Sequence, residues 1–488
     1  MHAPGEQRAD AIFTLPEIPA TAVVLGDLPA WRAGLTERGV EVLEDPQASP
    51  DLVVAANADD PRVAGASAPH VLLDGPPRAL RVLQRTGRRG RRLLPVPVHA
   101  NPLLLVPIAQ RRAAAYGVGH EVVHEERWKA TRNRAAAGLL RAGLFPPVRG
   151  TITTASPAAR PPAFVAAARD LGVEPDRCWV LLVSMGSPVR RDAFLLFRPG
   201  AATPDLALKF SRVPGRSDHV EREERGLALA AAAGGPVAAR APRFLGRLEV
   251  GRYHASVETA IVGTRLSTML RRPLRRETKL LAVERAVDWL LAVATETASP
   301  PEHLAAERRR LAADVVPFWS SLGVTDDLVR GIEDVPAVFR HYDLGEENLV
   351  FTANGFGVVD WERAQARGMP LADLVWLATA ALRLVDGALT EEGRLSHFLD
   401  LWRGRAPSSG LLMRWVGAMV RALHLPPPSV GALVTLTWLD RAKLSVDEHG
   451  RAEADTGRTL DRPPQERRAR SWLMEPGLGP GWSVWRRG

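Results

Sequence analysis

Cysteine is almost absent: Cys178 is the only one in 488 residues. A single thiol excludes an intrachain disulfide and any zinc site built from several cysteines, and a reducing cytoplasm is the simplest compartment to expect. Long apolar runs are missing too. Nothing approaches the ~20 apolar residues of a membrane span; VGALVTLTWL (430–439) is among the longest runs and reads as a core helix. The opening MHAPGEQRADAIFTLPEIPA lacks a basic segment followed by an apolar one, which argues against a secretory signal. Lysine is scarce, with Lys129, Lys209, Lys279 and Lys443 standing against sixty arginines. Any lysine in an apolar setting therefore asks for a reason.

What is present is ordinary for a soluble globular protein: 46% apolar and 24% charged residues, with 41 Gly and 40 Pro that imply many loops. At about 150 residues per domain, the length predicts at least two domains. The net charge of +9 is regional. Residues 75–160 hold fifteen arginines and Lys129 against Glu121, Glu125 and Glu126, a net +13, so the rest of the chain sums to −4. RTGRRGRR (85–92) is the densest part and reads as an exposed loop. Two readings stay open, a solvated arginine-rich face and a patch for an anionic or phosphate-bearing partner. No zinc-finger spacing or RNP-type aromatic motif accompanies it, so specific nucleic-acid recognition is not expected.

Along the chain, TAVVLGD, VEVLE, DLVVAAN and HVLLDG read as strands and LPAWRAGLTERG as a helix, a pattern of a small α/β domain with a parallel sheet over 1–150. Residues 120–142 read as helical. FPPVRGTITTASPAARPP marks the boundary, so 151–174 is expected to be linker and a short helix. From 175 the pattern turns to strands, interrupted by a helix in DHVEREERGLALAAAA, and from 263 to 450 it is mostly helical, with a β-rich segment at 335–361. Residues 451–488 read as a tail.

The chemistry concentrates in PAVFRHYDLGEENLVFTANGFGVVDWERA (336–364). His341 and Asp343 precede Asn348 by seven and five residues, and Asp360 follows twelve later. Asn354-Gly355 between two strand-like runs signals a hairpin, which places Asp343 and Asn348 on the loop entering it and Asp360 at its exit. One amide oxygen and a carboxylate meeting there suit Mg²⁺, a hard cation that takes a few side-chain oxygens plus substrate phosphates, with Asp343 left to accept a hydroxyl proton. With this composition, H-x-D-x₄-N is expected by chance on the order of 0.006 times. Upstream, Lys209 in LALKF suits a phosphate-binding ammonium.

These segments resemble a known family. HYDLGEEN followed by VVDWERA is similar to the H-G-D-x-x-x-x-N and I-D-W-E signatures of the aminoglycoside phosphotransferase and choline kinase group, relatives of the protein kinases, and GMPLADL (368–374) continues the likeness. The resemblance implies a catalytic base at Asp343, Mg²⁺ ligands at Asn348 and Asp360, and ATP as phosphoryl donor. It also implies a helical glutamate paired with Lys209, best matched by Glu223, with Glu224 one register away. SVETAIVGTRLS (256–267) is similar to the hinge strand, whose backbone near Glu258 and Ala260 would take adenine. SMGSP (184–188), with Gly186 and Ser187, is the candidate phosphate loop. Tyr342 departs from the pattern, standing where the family usually has glycine, and Asp373 reads as structural.

The fold class expected is therefore α+β: a bilobal protein-kinase-like fold with a small β-rich N-lobe (175–262) and a helical C-lobe (263–450), preceded by a small α/β domain. The function expected is ATP- and Mg-dependent phosphorylation of a small-molecule hydroxyl acceptor in the cytoplasm. The alternative from another class is a pseudokinase or binding module whose basic N-terminal domain engages an anionic partner. The intact set Lys209, Asp343, Asn348 and Asp360 argues against it.

Overall fold

Short runs of Val, Leu and Ala account for most of the first seven strands, the exceptions being the arginine-rich start of β5 and the threonine-rich β7: β1 (Thr21–Leu25), β2 (Glu41–Leu43), β3 (Leu52–Ala55), β4 (His70–Gly75), β5 (Arg89–Val96), β6 (Leu104–Pro107) and β7 (Thr151–Ser156). Five more follow, β8 (Cys178–Leu182), β9 (Arg191–Phe197), β10 (Leu206–Ser211), β11 (Phe244–Val250) and β12 (Tyr253–Thr259). In this computed structural model the described residues are 6–45, 48–56, 60–64, 67–75, 88–96, 102–121, 127–144, 151–158, 160–184, 191–456 and 463–482. They divide into two units, Met1–Glu224 with Arg243–Val262, and Arg225–Pro242 with Gly263–Gly488.

All twelve strands belong to one sheet of the first unit, in the order β11-β12-β10-β9-β8-β6-β5-β7-β4-β3-β1-β2. The section β2-β1-β3-β4 is parallel and the remainder antiparallel. Parallel strands are covered on both faces and so read as unbroken apolar runs, which TAVVL and LVVA are. The two expected lobe and domain segments thus share a sheet, and they share a core. Phe13, from the first described segment, packs on Phe210 of β10 (4.9 Å between ring centroids) and Tyr253 of β12 (5.4 Å). The Tyr253 hydroxyl donates to the Arg38 carbonyl at 2.5 Å, and buried Arg38 pairs with buried Asp10 at 2.5 Å.

Two local expectations change. Residues 151–156, read as linker, form a wholly buried strand between β4 and β5. TITTAS is polar in composition, yet β-branched threonines suit a pleated sheet, and the Ser156 hydroxyl lies 3.1 Å from His70 Nδ1. Of RTGRRGRR, read as a loop, Arg89 to Arg92 form the first half of β5 and pair with β7; residues 85–87 lie outside the described set.

The second unit is mainly helical: Arg276–Thr297, Ala372–Val385, Ser409–Ala422, Pro427–Thr456 and Pro464–Met474 are its longer helices, with Glu391–Trp402. Its strands are β13 (Thr264–Arg265), β14 (Val338–Arg340), β15 (Leu349–Thr352), β16 (Gly355–Val358) and β17 (Gln365–Gly368), arranged as β13-β15-β16 and β14-β17. The hairpin forms with Ala353–Asn354 as its loop, and Gly355 opens β16 at φ 136°. Within the expected tail, Trp472 is buried; its indole donates to Thr435 Oγ1 at 2.9 Å and its ring packs on Trp402 at 5.3 Å. The class is α+β. Among the described residues no helix is long and apolar enough to cross a membrane.

Candidate active site

In the first unit, β10 carries Lys209 opposite Ala193 of β9 and Ser256 of β12. The helix Asp218–Ala233 brings Glu223, fully buried, to the ammonium: Lys209 Nζ lies 2.9 Å from Glu223 Oε1. Glu224, one position on, turns outward to Arg247 instead. Two further groups join. Arg191 at the start of β9 reaches Glu223 Oε2 at 2.9 Å, and Glu258 on β12 places Oε1 2.8 Å from Lys209 Nζ. The four groups balance in charge when both glutamates are ionised, but burial does not treat them alike. Burial would raise the Glu223 carboxyl; Lys209 and Arg191 together overcome it and hold the group well below the usual range. Burial pushes Glu258 up to about 7 despite Lys209, and the Glu223 charge adds to the rise.

The Glu258 side chain therefore serves Lys209, and the backbone beyond it is largely committed. Thr259 N–H donates to the Arg243 carbonyl at 3.0 Å and Ala260 N–H to the Asp205 carbonyl at 2.9 Å. Gly186 and Ser187 of the expected phosphate loop lie outside the described residues.

In the second unit, β14 ends at Arg340 and the chain turns sharply through 341–348. Asp373, at the start of the helix Ala372–Val385, accepts from the N–H groups of His341 (2.6 Å) and Tyr342 (3.1 Å). The His341 ring pins the turn from inside, with Nε2 3.2 Å from the Val359 carbonyl and Nδ1 accepting from Asp343 N–H at 3.3 Å. Tyr342 takes φ 71°, a left-handed conformation that costs an L-residue about 1–2 kcal/mol and glycine nothing. Its side chain explains why tyrosine holds there. The hydroxyl donates to Asp440 Oδ2 at 2.5 Å, and the Arg340 guanidinium lies 3.8 Å from the ring centroid.

Asp343 follows. Arg441, from the helix Pro427–Thr456, holds Asp343 Oδ1 at 2.6 Å, donates to the Tyr342 carbonyl and stacks on Trp376 at 3.9 Å. Burial would raise the Asp343 carboxyl; Arg441 outweighs it and keeps the group below the ordinary carboxylate value. Asn348 closes the loop by donating Nδ2 to the Asp343 carbonyl at 2.8 Å. That bond orients the amide, so Oδ1 is the atom left to accept. Register does the rest. Leu349 pairs with Val358 and the Asn348 carbonyl accepts from Val359 N–H at 3.0 Å, so Asp360 emerges at the same end of the hairpin as Asn348. Asp360 is itself left-handed, at φ 70°.

Of the residues singled out from sequence, the structure brings Lys209, Glu223 and Glu258 into one cluster, and Asp343, Asn348 and the exit of the hairpin at Asp360 into another. Arg191, Arg441 and Gly226 were not foreseen. Gly226 follows Glu223 by one helical turn, in the part of the helix assigned to the second unit, where a Cβ would stand 1.8 Å from the Trp361 carbonyl oxygen. A glycine amid helix-forming residues was the available signal. Arg441 lies 98 residues beyond Asp343 and gave none.

A lysine held by a helical glutamate, and an Asp–Asn loop feeding a hairpin that ends in Asp, are the parts to which the resemblance assigns phosphoryl transfer. Residues 193–407 match the model of the phosphotransferase enzyme family. That stretch contains every residue from Lys209 to Asp373 on which the resemblance was read. No curated protein matches the chain. Among solved structures, aminoglycoside phosphotransferase APH(4)-Ia, in a ternary complex with ADP and hygromycin B, is 16% identical over 62% of this chain and 96% of its own, at a TM-score of 0.36. Glucosamine kinase with glucosamine, ADP and inorganic phosphate is 14% identical over 62% of this chain and 83% of its own, at 0.33. Aminoglycoside phosphotransferase APH(3'')-Id from Streptomyces rimosus, with ADP and streptomycin, is 15% identical over 51% and 90%, also at 0.33.

Proposed function

We propose that the chain is an ATP- and Mg²⁺-dependent kinase of a small-molecule hydroxyl. The observation that carries this reading is the loop 341–348 closed on its hairpin, with Asn348 bonded to the Asp343 carbonyl and Asp360 issuing beside it, within a stretch that matches a phosphotransferase family. The donor set fits magnesium: Asn348 Oδ1, turned away from the bond made by its Nδ2, and the Asp360 carboxylate are hard oxygens of the kind Mg²⁺ takes. Bound together, Mg²⁺ and ATP would supply the phosphoryl group and neutralise its charge.

The chain's own residues then have distinct tasks. Asp343 Oδ2 accepts a hydrogen bond from the acceptor hydroxyl, and takes its proton as the oxygen commits to phosphorus. Because Arg441 keeps this carboxylate ionised, it orients the hydroxyl more than it pulls the proton away, which suits a loose transition state that needs little base assistance. Arg441 also fixes the rotamer by occupying Oδ1. The Lys209 ammonium, held by Glu223 and Glu258, is the group assigned to the phosphate oxygens. A cytoplasmic location, where ATP is at hand, fits this reading.

The test is nucleotide consumption by wild type, Asp343→Asn and Asp360→Ala across a panel of amino sugars, sugars and amino alcohols. An acceptor that raises turnover in wild type should lose on the order of 10² to 10⁴ in rate with Asp343→Asn. A near-normal rate in that variant would remove Asp343 as base. No acceptor-dependent turnover, with no Mg·ATP binding in wild type, would leave the binding-module reading in its place.

A further inference from the structure

A second polar recess lies on the sheet of the first unit, away from Lys209. It is lined by Thr14, Pro16, Arg89, Gly90, Arg91, Thr154, Ser156, Ala158 and Arg160, and is a shallow, partly open depression with an accessible volume of about 30 Å³. Its construction follows from register. Arg89 pairs with Ser156 and Arg91 with Thr154, and side chains two apart on a strand share a face. Two guanidinium groups and two hydroxyls therefore rise from adjacent strands onto one patch. Arg160 adds a third guanidinium from the chain just beyond β7.

Among the described residues no ion pair joins any of these three arginines to a carboxylate. Half-buried Arg91 spends its donors on two main-chain carbonyls, of Thr14 at 3.3 Å and of Arg160. Burial alone lowers its pKa, with no acidic neighbour to offset the loss of water. Elsewhere in this unit buried arginines are matched: Arg38 by Asp10, Arg191 by Glu223, Arg177 by Asp205. Three like charges gathered around a recess, one of them half-buried without a counter-ion, is an arrangement that an anion completes. The floor adds neutral donors. Ser156 Oγ lies 3.1 Å from His70 Nδ1, whose imidazole burial keeps neutral, so the hydroxyl is held in place.

From this geometry we infer that the recess is a binding site for the phosphate group of a small phosphorylated molecule. The guanidinium forks of Arg89 and Arg160, beside the Arg91 charge, match a tetrahedral oxyanion carrying two charges better than a carboxylate carrying one. The accessible volume of about 30 Å³ is far below that of a whole-ligand pocket, so only a small anionic group enters the recess and the remainder of the molecule lies outside. The inference is independent of the kinase reading, since none of its residues takes part there.

Binding of inorganic phosphate to the full chain, measured by equilibrium dialysis with saturating Mg²⁺ and ADP present, tests it. One saturable equivalent is expected. Affinity should fall at least tenfold in Arg89→Ala/Arg160→Ala, whose exposed side chains leave the fold intact, and should fall less in Arg91→Lys, which keeps the charge beside the recess. A phosphomonoester should compete; inorganic phosphate binding that no phosphomonoester displaces would overturn the assignment to a phosphorylated molecule. Absence of saturable binding, or binding unchanged in the double variant, would each overturn the site. Capture of a short RNA without competition by phosphate would likewise overturn it, in favour of a polyanion surface.

Discussion

Glu258 is the residue whose charge the structure leaves most finely poised. Its carboxyl is pushed up to about 7 by burial, against the pull of Lys209 and with the push of Glu223. An acid whose folded pKa lies above its unfolded value binds more protons when folded, so stability falls as pH rises between the two values. For Glu258 that window runs from its ordinary value of 4.5 up to about 7. Glu258→Gln, neutral throughout, removes this dependence. The variant should gain stability relative to wild type from pH 5 to pH 8, by up to a few kcal/mol, a shift of one pKa unit being worth about 1.4 kcal/mol. Asp192, also raised, to about 8, changes both proteins alike and cancels in the difference. Denaturant unfolding of the pair across this range is the measurement, and parallel curves would show that Glu258 is ionised throughout. From sequence Glu258 was placed in the adenine-binding strand for its backbone. That its side chain would turn to Lys209 was not legible, because β10–β12 register is set by pairing across 49 residues and no local pattern carries it.

Helices and hairpins show the opposite balance. The choice of Glu223 over Glu224 rested on the family resemblance, whereas the hairpin around Asn354-Gly355 and the helix 218–233 were readable, since period and turn chemistry are local signals. The close approach at Gly226 was not. In an exposed helix Gly→Ala is favourable by about 1 kcal/mol through propensity. Here the added Cβ meets the Trp361 carbonyl oxygen at 1.8 Å, and that atom is backbone. Overpacking of this kind typically costs about 1–3 kcal/mol, so the sign reverses. Gly226→Ala should unfold at lower denaturant than wild type. Turnover should drop as well, because Trp361 directly follows Asp360 and packs against His341 at 4.7 Å. A Gly226→Ala protein more stable than wild type would show that the helix does not approach this backbone.

The boundary drawn at residue 150 shows how local composition misleads at the scale of a whole unit. A Pro-, Ser- and Thr-rich stretch marks a linker only when the segments on either side own separate cores, and here they do not. β6 pairs with β8 through Leu104–Leu182 and Leu105–Leu181, across some 78 residues of sequence. One buried cluster takes in Ile12, Phe13, Trp31 and Leu52 with Trp179, Phe194, Phe210 and Val257. Removing residues 1–160 would strip Phe13 from its place against Phe210 and Tyr253 and leave Arg212, a neighbour of Asp10 at 3.6 Å, without that carboxylate. It would also open β8 as a bare edge beside exposed apolar faces, a template for aggregation. Each large aromatic lost from such a core costs about 3–5 kcal/mol, and a typical domain holds only about 5–15 kcal/mol in total. A fragment beginning at residue 161 retains every residue assigned to phosphotransfer, yet it should be insoluble or lack a cooperative unfolding transition, whereas the full chain should show one for this unit. Expression of the two, followed by circular dichroism on heating, decides the matter. A soluble, cooperatively folded fragment would mean that the five strands β8–β12 do not depend on β1–β7, and would restore the boundary at 150.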